Sequence, residues 1–197
     1  MKIILGSSSA GRRSVLQKAG YNFEVMAADI DEKAIRKENP EELVMAIANA
    51  KADALLPQVK EPSILITSDQ VILYKENVRE KPVGEEQATE FLRSYSEAPA
   101  VTLGATVVIN TETGKRVSGL QRTTVYFKPM PENFIKEYIA SGQPFKGAGG
   151  FVIQDEVLAP YIDHIEGRID SAAGLSMELL EKLIAEVSEV KSQEFNG

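Results

Sequence analysis

Gly6-Ser7-Ser8-Ser9-Ala10-Gly11-Arg12-Arg13 brings serine hydroxyls, glycines and two guanidinium groups into one short stretch. Backbone amides at a helix start, hydroxyls and adjacent arginines together suit phosphate oxygens. A P-loop requires G-x-x-x-x-G-K-[ST]. Here Arg12 stands in the lysine position and Arg13 where the metal-binding hydroxyl belongs, so P-loop NTPase chemistry is excluded. The same stretch also reads as a serine-rich helix cap with a solvated arginine pair. Asp69 is the sharpest single residue. It falls between Ile64-Leu65-Ile66-Thr67-Ser68 and Val71-Ile72-Leu73, a setting that buries it if the strand simply continues. A buried carboxylate without a partner is costly, so Asp69 should be paired, metal-bound or at a cleft edge.

Lys51 lies one helical turn after Ile47 and borders an apolar stripe, where a lysine either snorkels outward or points into a cleft. Lys81-Pro82 and Lys146-Gly147-Ala148-Gly149-Gly150 each set a lysine beside a stiff or glycine-rich segment. Such loops are ordinary turns unless they converge on the anion that Arg12, Arg13 and Lys51 would hold. The enzymatic reading therefore stands on these cations gathering in one hollow that faces Asp69. Asp29, Asp31 and Glu32 form either a hard-cation site or a solvated turn. His164 is the only histidine and cysteine is absent, so His-rich or thiolate metal sites are excluded. No G-x-S-x-G, H-E-x-x-H or EF-hand loop occurs.

The elements that must carry these groups are legible from hydrophobic spacing. Ile3–Leu5 reads as a strand, Gly6–Gly11 as a loop, and Val15, Leu16 and Ala19 as one face of a helix stopped at Gly20. Phe23–Ala27 is expected as a second strand. A helix opens at Pro40 with Glu41 and Glu42 in its first turn and a stripe of Leu43, Ile47, Ala50 and Ala54. Ile64–Tyr74 reads as two strands, or strand-bend-strand, broken at Ser68-Asp69-Gln70. Glu85–Tyr95 is expected as a helix, Val101–Ile109 and Val117–Phe127 as a hairpin, and Pro131–Ser141 as a helix closed by Gly142. A strand at Phe151–Gln154 and a terminal helix marked by Leu175, Leu179, Leu183 and Val187 complete the reading. The mixture argues for an α/β fold with a mixed sheet and flanking helices, a single unit over residues 1–197.

Composition narrows the class. The chain has 197 residues, 43% hydrophobic and 26% charged, the balance of an ordinary globular protein. Its 22 basic and 29 acidic residues give a net charge of −7, which disfavours a nucleic-acid polymer or an anionic membrane as partner. A small anion held by a local basic cluster remains compatible. Ile3-Ile4-Leu5 is too short for a signal h-region, and no apolar run approaches the ~20 residues of a membrane span. With no cysteine, the expectation is a cytoplasmic protein.

Taken in chain order, the motifs resemble those of the Maf-like nucleotide pyrophosphatases. They are Leu5-Gly6-Ser7-Ser8-Ser9-Ala10-Gly11-Arg12, Asp31-Glu32, Ala50-Lys51-Ala52, Ser68-Asp69-Gln70-Val71, Lys81-Pro82, Lys146–Gly150 with Gln154, and Gly174-Leu175. The resemblance implies an elongated fold with two lobes around a central cleft. It implies hydrolysis of nucleoside triphosphates, canonical or modified, to monophosphate and pyrophosphate with Mg²⁺ or Mn²⁺, and a homodimer with a house-cleaning role. Carried over by motif, Ser7, Arg12, Lys51 and Lys81 contact phosphates, and Asp69 is similar in position to the proton acceptor. Glu32 matches an acidic residue tied to metal and catalysis, so Glu32 and Asp69 are the metal candidates. Arg13 and Lys146 join the phosphate set. Gly11, Gln70 and Gln154 stand where members of the family discriminate bases. Ser68-Asp69-Gln70 resembles the branch acting on 7-methyl-GTP and Gln154 the branch acting on dTTP and UTP. A non-catalytic nucleotide-binding regulator is the alternative that the same loops permit.

Overall fold

Ser63–Tyr74 is β3, a single unbroken strand of 12 residues in the computed structural model, which describes residues 1–189. Positions 190–197 of the single unit expected from the sequence lie outside the described residues. No bend occurs at Ser68-Asp69-Gln70: each pairs in register with β5 (Ala100–Asn110), opposite Thr106, Ala105 and Gly104. The polar triplet marks a change of chemistry along the strand, not a break in it. β-branched residues on either side hold the ladder, and the polar side chains find partners across both faces.

β3 is central. The seven-stranded sheet runs β2-β1-β3-β5-β6-β7, with β4 (Asn77–Arg79) folded back on the end of β3. β1 (Lys2–Leu5) lies parallel to β2 (Glu24–Val25) and to β3; the remaining pairs, including β6 (Arg116–Phe127) and β7 (Ile162–Glu166), are antiparallel. The sheet is thus mixed, as the alternation of helices and hairpin implies. The β5–β6 turn is set by Asn110, whose Oδ1 accepts from the amides of Glu112 and Thr113 at 3.1 and 3.3 Å.

Strand parity divides what each face meets. Leu65, Thr67, Asp69, Val71 and Leu73 share the face covered by α2 (Pro40–Leu55). That helix is opened by Asn39, whose Oδ1 accepts from the Glu41 amide at 2.8 Å. The opposite face carries two apolar clusters with a polar waist between them. At one end Ile64 and Ile66 pack with α1 (Ala10–Lys18) and α6 (Met177–Ser188). At the other, Ile72 and Tyr74 pack with α3 (Glu85–Ser94), α4 (Glu132–Ala140) and the segment Phe151–Leu158. Over the waist lies the short α5 (Ile169–Ala172) with the turn that follows it. Ser68 Oγ donates to Gly174 O at 3.2 Å, and Gln70 Nε2 to Ala172 O at 3.2 Å. Gln121 Nε2 donates to Ser171 O at 3.2 Å while its Oε1 accepts from the Ser176 amide at 2.7 Å.

Several expectations need correction. Phe151–Gln154 is no strand; the Phe151 and Ile153 side chains are buried, but the backbone turns on local bonds from Asp155 N to Val152 O and Leu158 N to Asp155 O. β4 and β7 were not legible, the first being only three residues long and the second a polar edge strand with a register irregularity opposite Tyr126 and Phe127. Phe23–Ala27 contributes only two strand residues. The α2 stripe is Leu43, Val44, Ile47, Ala48, Lys51, Ala52 and Leu55, one position round from the expected one, with Ala50 and Ala54 half-buried. Ala19 is exposed, and Leu175 precedes the terminal helix, whose buried face is Met177, Leu180, Leu183 and Val187.

Candidate active site

Lys51 sits within the buried stripe of α2, not beside it, so its side chain is directed at the sheet. There it meets Asp69, which strand parity turns toward the same helix: Lys51 Nζ lies 2.8 Å from Asp69 Oδ1. The adjacent Thr67 fixes the registration by donating its Oγ1 to Ala48 O at 2.8 Å, one turn before Lys51. Lys51 also reaches Glu32 Oε1 at 3.1 Å. Glu32 opens a short 3-10 turn, Glu32–Ala34, capped by Asp31, whose Oδ1 accepts from the amides of Lys33 and Ala34 at 3.1 and 3.2 Å. Asp31 is therefore spent as a cap, and the acidic run does not form a cation cage: no group of three metal-ligating side chains occurs among the described residues.

The amino-terminal loop supplies the second cation. Ser9 caps α1, and Ser7 Oγ accepts from the Ser9 amide at 3.2 Å and from Arg12 Nη1 at 3.1 Å. Arg12 is buried, its Nε donating to Gly174 O at 3.1 Å, the same carbonyl that Ser68 reaches from β3. Burial pulls the Arg12 guanidinium below its ordinary value, with Asp69 and Glu32 opposing that pull. Asp69 is 7% exposed, and burial raises its carboxyl above the usual carboxylate range despite Lys51 and Arg12. Its Oδ1 is taken by Lys51, whereas Oδ2 has no hydrogen bond among the described residues and is not sealed from solvent.

Ser7, Arg12, Glu32, Lys51 and Asp69 thus form one cluster, rimmed by Gln70 on β3. A Cβ at Gly11 would lie 2.8 Å from Ala173 O and 3.6 Å from Gln154 Oε1, so Gly11 and Gln154 face each other beside the same turn. Arg13, Lys81 and Lys146 are exposed, and none makes a hydrogen bond or ion pair with the cluster among the described residues. Of the two arginines and three lysines expected to gather, Arg12 and Lys51 belong to the cluster, and Arg13, Lys81 and Lys146 stand outside its hydrogen bonds and ion pairs among the described residues. His164 is exposed, stacked on Tyr126 at 4.2 Å and bonded to Asp163, so it forms no serine triad.

Two cations, Arg12 and Lys51, face two carboxylates, Asp69 and Glu32, so the cluster is neutral. A polyanion brought here gains little net Coulomb energy unless a further cation accompanies it or outer lysines close on it. Mg²⁺ or Mn²⁺ fits this donor set, since such ions need only one or two carboxylates when phosphate oxygens and water complete the shell. Two surface hollows lie away from the cluster. The one along α3 is lined by Glu86, Glu90 and Glu97 beside Arg93, a poor surface for phosphate.

Sequence reading missed Gly174 O as the anchor of Arg12. A backbone atom leaves no residue-type signal, but Gly174 itself does: its φ is +108°, and a Cβ there would meet Gln70 Oε1 at 2.8 Å and Arg12 Nε at 3.2 Å. Gly174→Ala is expected to lower kcat/KM on the order of 10²-fold by displacing Arg12. It should also cost about 1–3 kcal/mol of stability, read by urea unfolding. Unchanged kinetics would show that the Gly174 carbonyl does not orient Arg12.

Residues 2–187 match the family model described as Maf-like protein. The chain is 43% identical over 194 residues to a protein of Dictyostelium discoideum called 7-methyl-GTP pyrophosphatase, covering 95% of this chain and 98% of the relative. It is 33% identical to a nucleoside triphosphate pyrophosphatase of Streptomyces coelicolor, over 94% of this chain and 90% of that one. It is 32% identical to a dTTP/UTP pyrophosphatase of Vibrio vulnificus, over 94% and 98% respectively.

Proposed function

The chain belongs to the Maf-like protein family, and from that premise we propose that it hydrolyses nucleoside triphosphates to monophosphate and pyrophosphate at the Lys51–Asp69 cluster. The observation that carries the site is a buried carboxylate with one oxygen held by Lys51 and the other open, beside a buried arginine anchored at both ends. Asp69 orients a water in line with the α-phosphorus and takes its proton, the oxygen joins phosphorus, and the bond to the β-phosphate bridge breaks. Burial makes Asp69 a better base than an exposed aspartate, because its proton affinity is raised toward the working pH. Lys51 fixes the carboxylate, and Arg12, held by Ser7 and Gly174, faces phosphate oxygens. Lys81, Lys146 and Arg13 contribute from the rim.

Glu32 and Asp69 would hold a Mg²⁺ or Mn²⁺ ion, whose contribution when bound is to offset the charge of the triphosphate at an otherwise neutral cluster. Chelation with EDTA is expected to abolish turnover and added Mg²⁺ or Mn²⁺ to restore it; full activity in EDTA would remove the ion from the reaction.

The base preference we propose is 7-methyl-guanine. Its support is the 43% identity with the relative of that name and Gln70 after Asp69, held toward Ala172 O at the rim. A panel of canonical, methylated and modified triphosphates, scored for pyrophosphate plus monophosphate, tests both claims. 7-methyl-GTP should give the highest kcat/KM; a preference for dTTP and UTP would shift the specificity to Gln154. Orthophosphate plus diphosphate as products would mean that a different bond is cut. We further propose a homodimer in the cytoplasm, which sedimentation and fractionation test; no helix among the described residues is long and apolar enough to cross a membrane.

A further inference from the structure

Arg79, at the end of β4, is 7% exposed and has no carboxylate within ion-pair distance among the described residues. A buried guanidinium without a counterion is costly unless something else compensates it. Here aromatic rings do. Its Cζ lies 3.7 Å from the ring centre of Tyr74, 4.4 Å from that of Phe91 and 5.2 Å from that of Tyr95. Nη1 donates to Ser94 Oγ at 2.8 Å. It also donates to Phe91 O at 3.5 Å, so three rings, a hydroxyl and a carbonyl hold one charge in a fixed place.

The cage is continuous with both lysine-bearing loops. Arg79 is two residues before Lys81. Tyr95, a wall of the cage, donates its hydroxyl to Gly149 O at 2.8 Å, and the Gly149 amide donates to Glu80 O at 3.0 Å. Gly149 has φ +70°, and a Cβ there would meet the Tyr95 hydroxyl at 2.7 Å, so the loop can approach this closely only as glycine. Pro82 is buried beside Gly150 and Phe91. The turn carrying Lys81 and the loop carrying Lys146 are therefore cross-linked through the rings around Arg79. The same β3 that carries Asp69 pairs Ile72 with Arg79. Lys81 and Lys146 themselves have no ion-pair partner among the described residues.

We infer that Arg79 is a positioning residue: its caged charge fixes the Lys81 turn against the glycine-rich loop, so that the outer lysines meet the triphosphate at a set place. The inference rests on the proposed role of Lys81 and Lys146 as phosphate contacts. It accounts for how a neutral inner cluster acquires cations at its rim without ion pairs to hold them.

The test compares kcat and KM for the preferred triphosphate in the full chain and in Arg79→Met, Arg79→Lys, Lys81→Ala and the double variant Arg79→Met/Lys81→Ala. Arg79→Met should raise KM about tenfold or more with a smaller change in kcat, as expected for lost binding contacts. Arg79→Lys should recover part of that loss by keeping the charge in the cage. The double variant should lose less than the two single losses combined, because Arg79 acts in part through that lysine. Additive losses, or an unchanged KM with only a lower melting temperature, would overturn the inference. If Arg79→Met does not fold, Tyr95→Phe decides: it keeps the ring and removes the bond to Gly149, and the same rise in KM is expected. Absence of pyrophosphate release from any triphosphate by the unmodified chain would instead sink the proposed reaction. Turnover with an unmoved KM in Tyr95→Phe and Arg79→Met sinks only the positioning role.

Discussion

Asp69→Asn is expected to lower kcat about 10³-fold while leaving the fold and the metal-free nucleotide affinity in place, the loss typical of a removed general base. The amide keeps the shape of the side chain and can still accept from Lys51, so the α2–β3 packing around Thr67 and Ala48 is not disturbed. What disappears is the site for the proton. The pH dependence separates this from a loss of packing. Burial raises the Asp69 carboxyl, so activity in the unmodified chain should fall on the acid side at a pH above the ordinary carboxylate range. That acid limb should vanish from the residual rate of Asp69→Asn. Stopped or steady-state assays over pH 4 to 9, with calorimetric binding of a non-hydrolysable triphosphate, read both effects. Near-normal turnover in the variant would take Asp69 out of the mechanism.

Lys51→Met is expected to have the largest effect on stability. It leaves Asp69 buried without its ion pair, and removing one partner of a buried pair costs about 3 kcal/mol or more. Glu32 adds little to this loss, since its side chain is half exposed and keeps its water. The sign with pH follows from Asp69. Its folded-state proton affinity is already above the unfolded value, and loss of the lysine raises it further. The destabilisation is therefore full above the folded pKa, where Asp69 must carry its charge, and shrinks as pH falls through that value and the carboxyl protonates. Urea unfolding of Lys51→Met at pH 7 and pH 5 should show the gap to the unmodified chain closing at the lower pH. The double variant Lys51→Met/Asp69→Asn should regain part of the lost stability at pH 7, because no buried charge is left. A pH-independent loss, or a double variant less stable than Lys51→Met, would mean that packing and not charge is what Lys51 provides.

The α/β class, the β5–β6 hairpin, the helices at Pro40, Glu85 and Glu132, and the residue types that draw attention to Ser7, Arg12, Lys51 and Asp69 are readable from the order of amino acids. These follow from local rules: apolar period, caps, turn residues and the cost of placing a carboxylate among aliphatic side chains. The parity of β3 is hidden in the sequence, where Ser68-Asp69-Gln70 reads as a break because polar residues fall on both faces; in the structure Leu65, Thr67, Asp69, Val71 and Leu73 alternate with Ile64, Ile66, Ser68, Gln70 and Ile72 along one strand. Read that way, Asp69 is a residue of one sheet face and not an interruption.

Which side chains meet is fixed by packing. Lys51 and Asp69, 18 residues apart in sequence, come together because their two elements pack face to face with one register, set by Thr67 and Ala48. Arg12 is aimed by a backbone carbonyl 162 residues away, and a carbonyl has no residue type to read. The same holds for Arg79, where the rings of Tyr74, Phe91 and Tyr95 compensate a buried charge that the sequence would assign to the surface. Local energetics choose helices, strands and buried faces. The pairing of charges across them depends on the register and distance at which those faces dock, which no single segment contains.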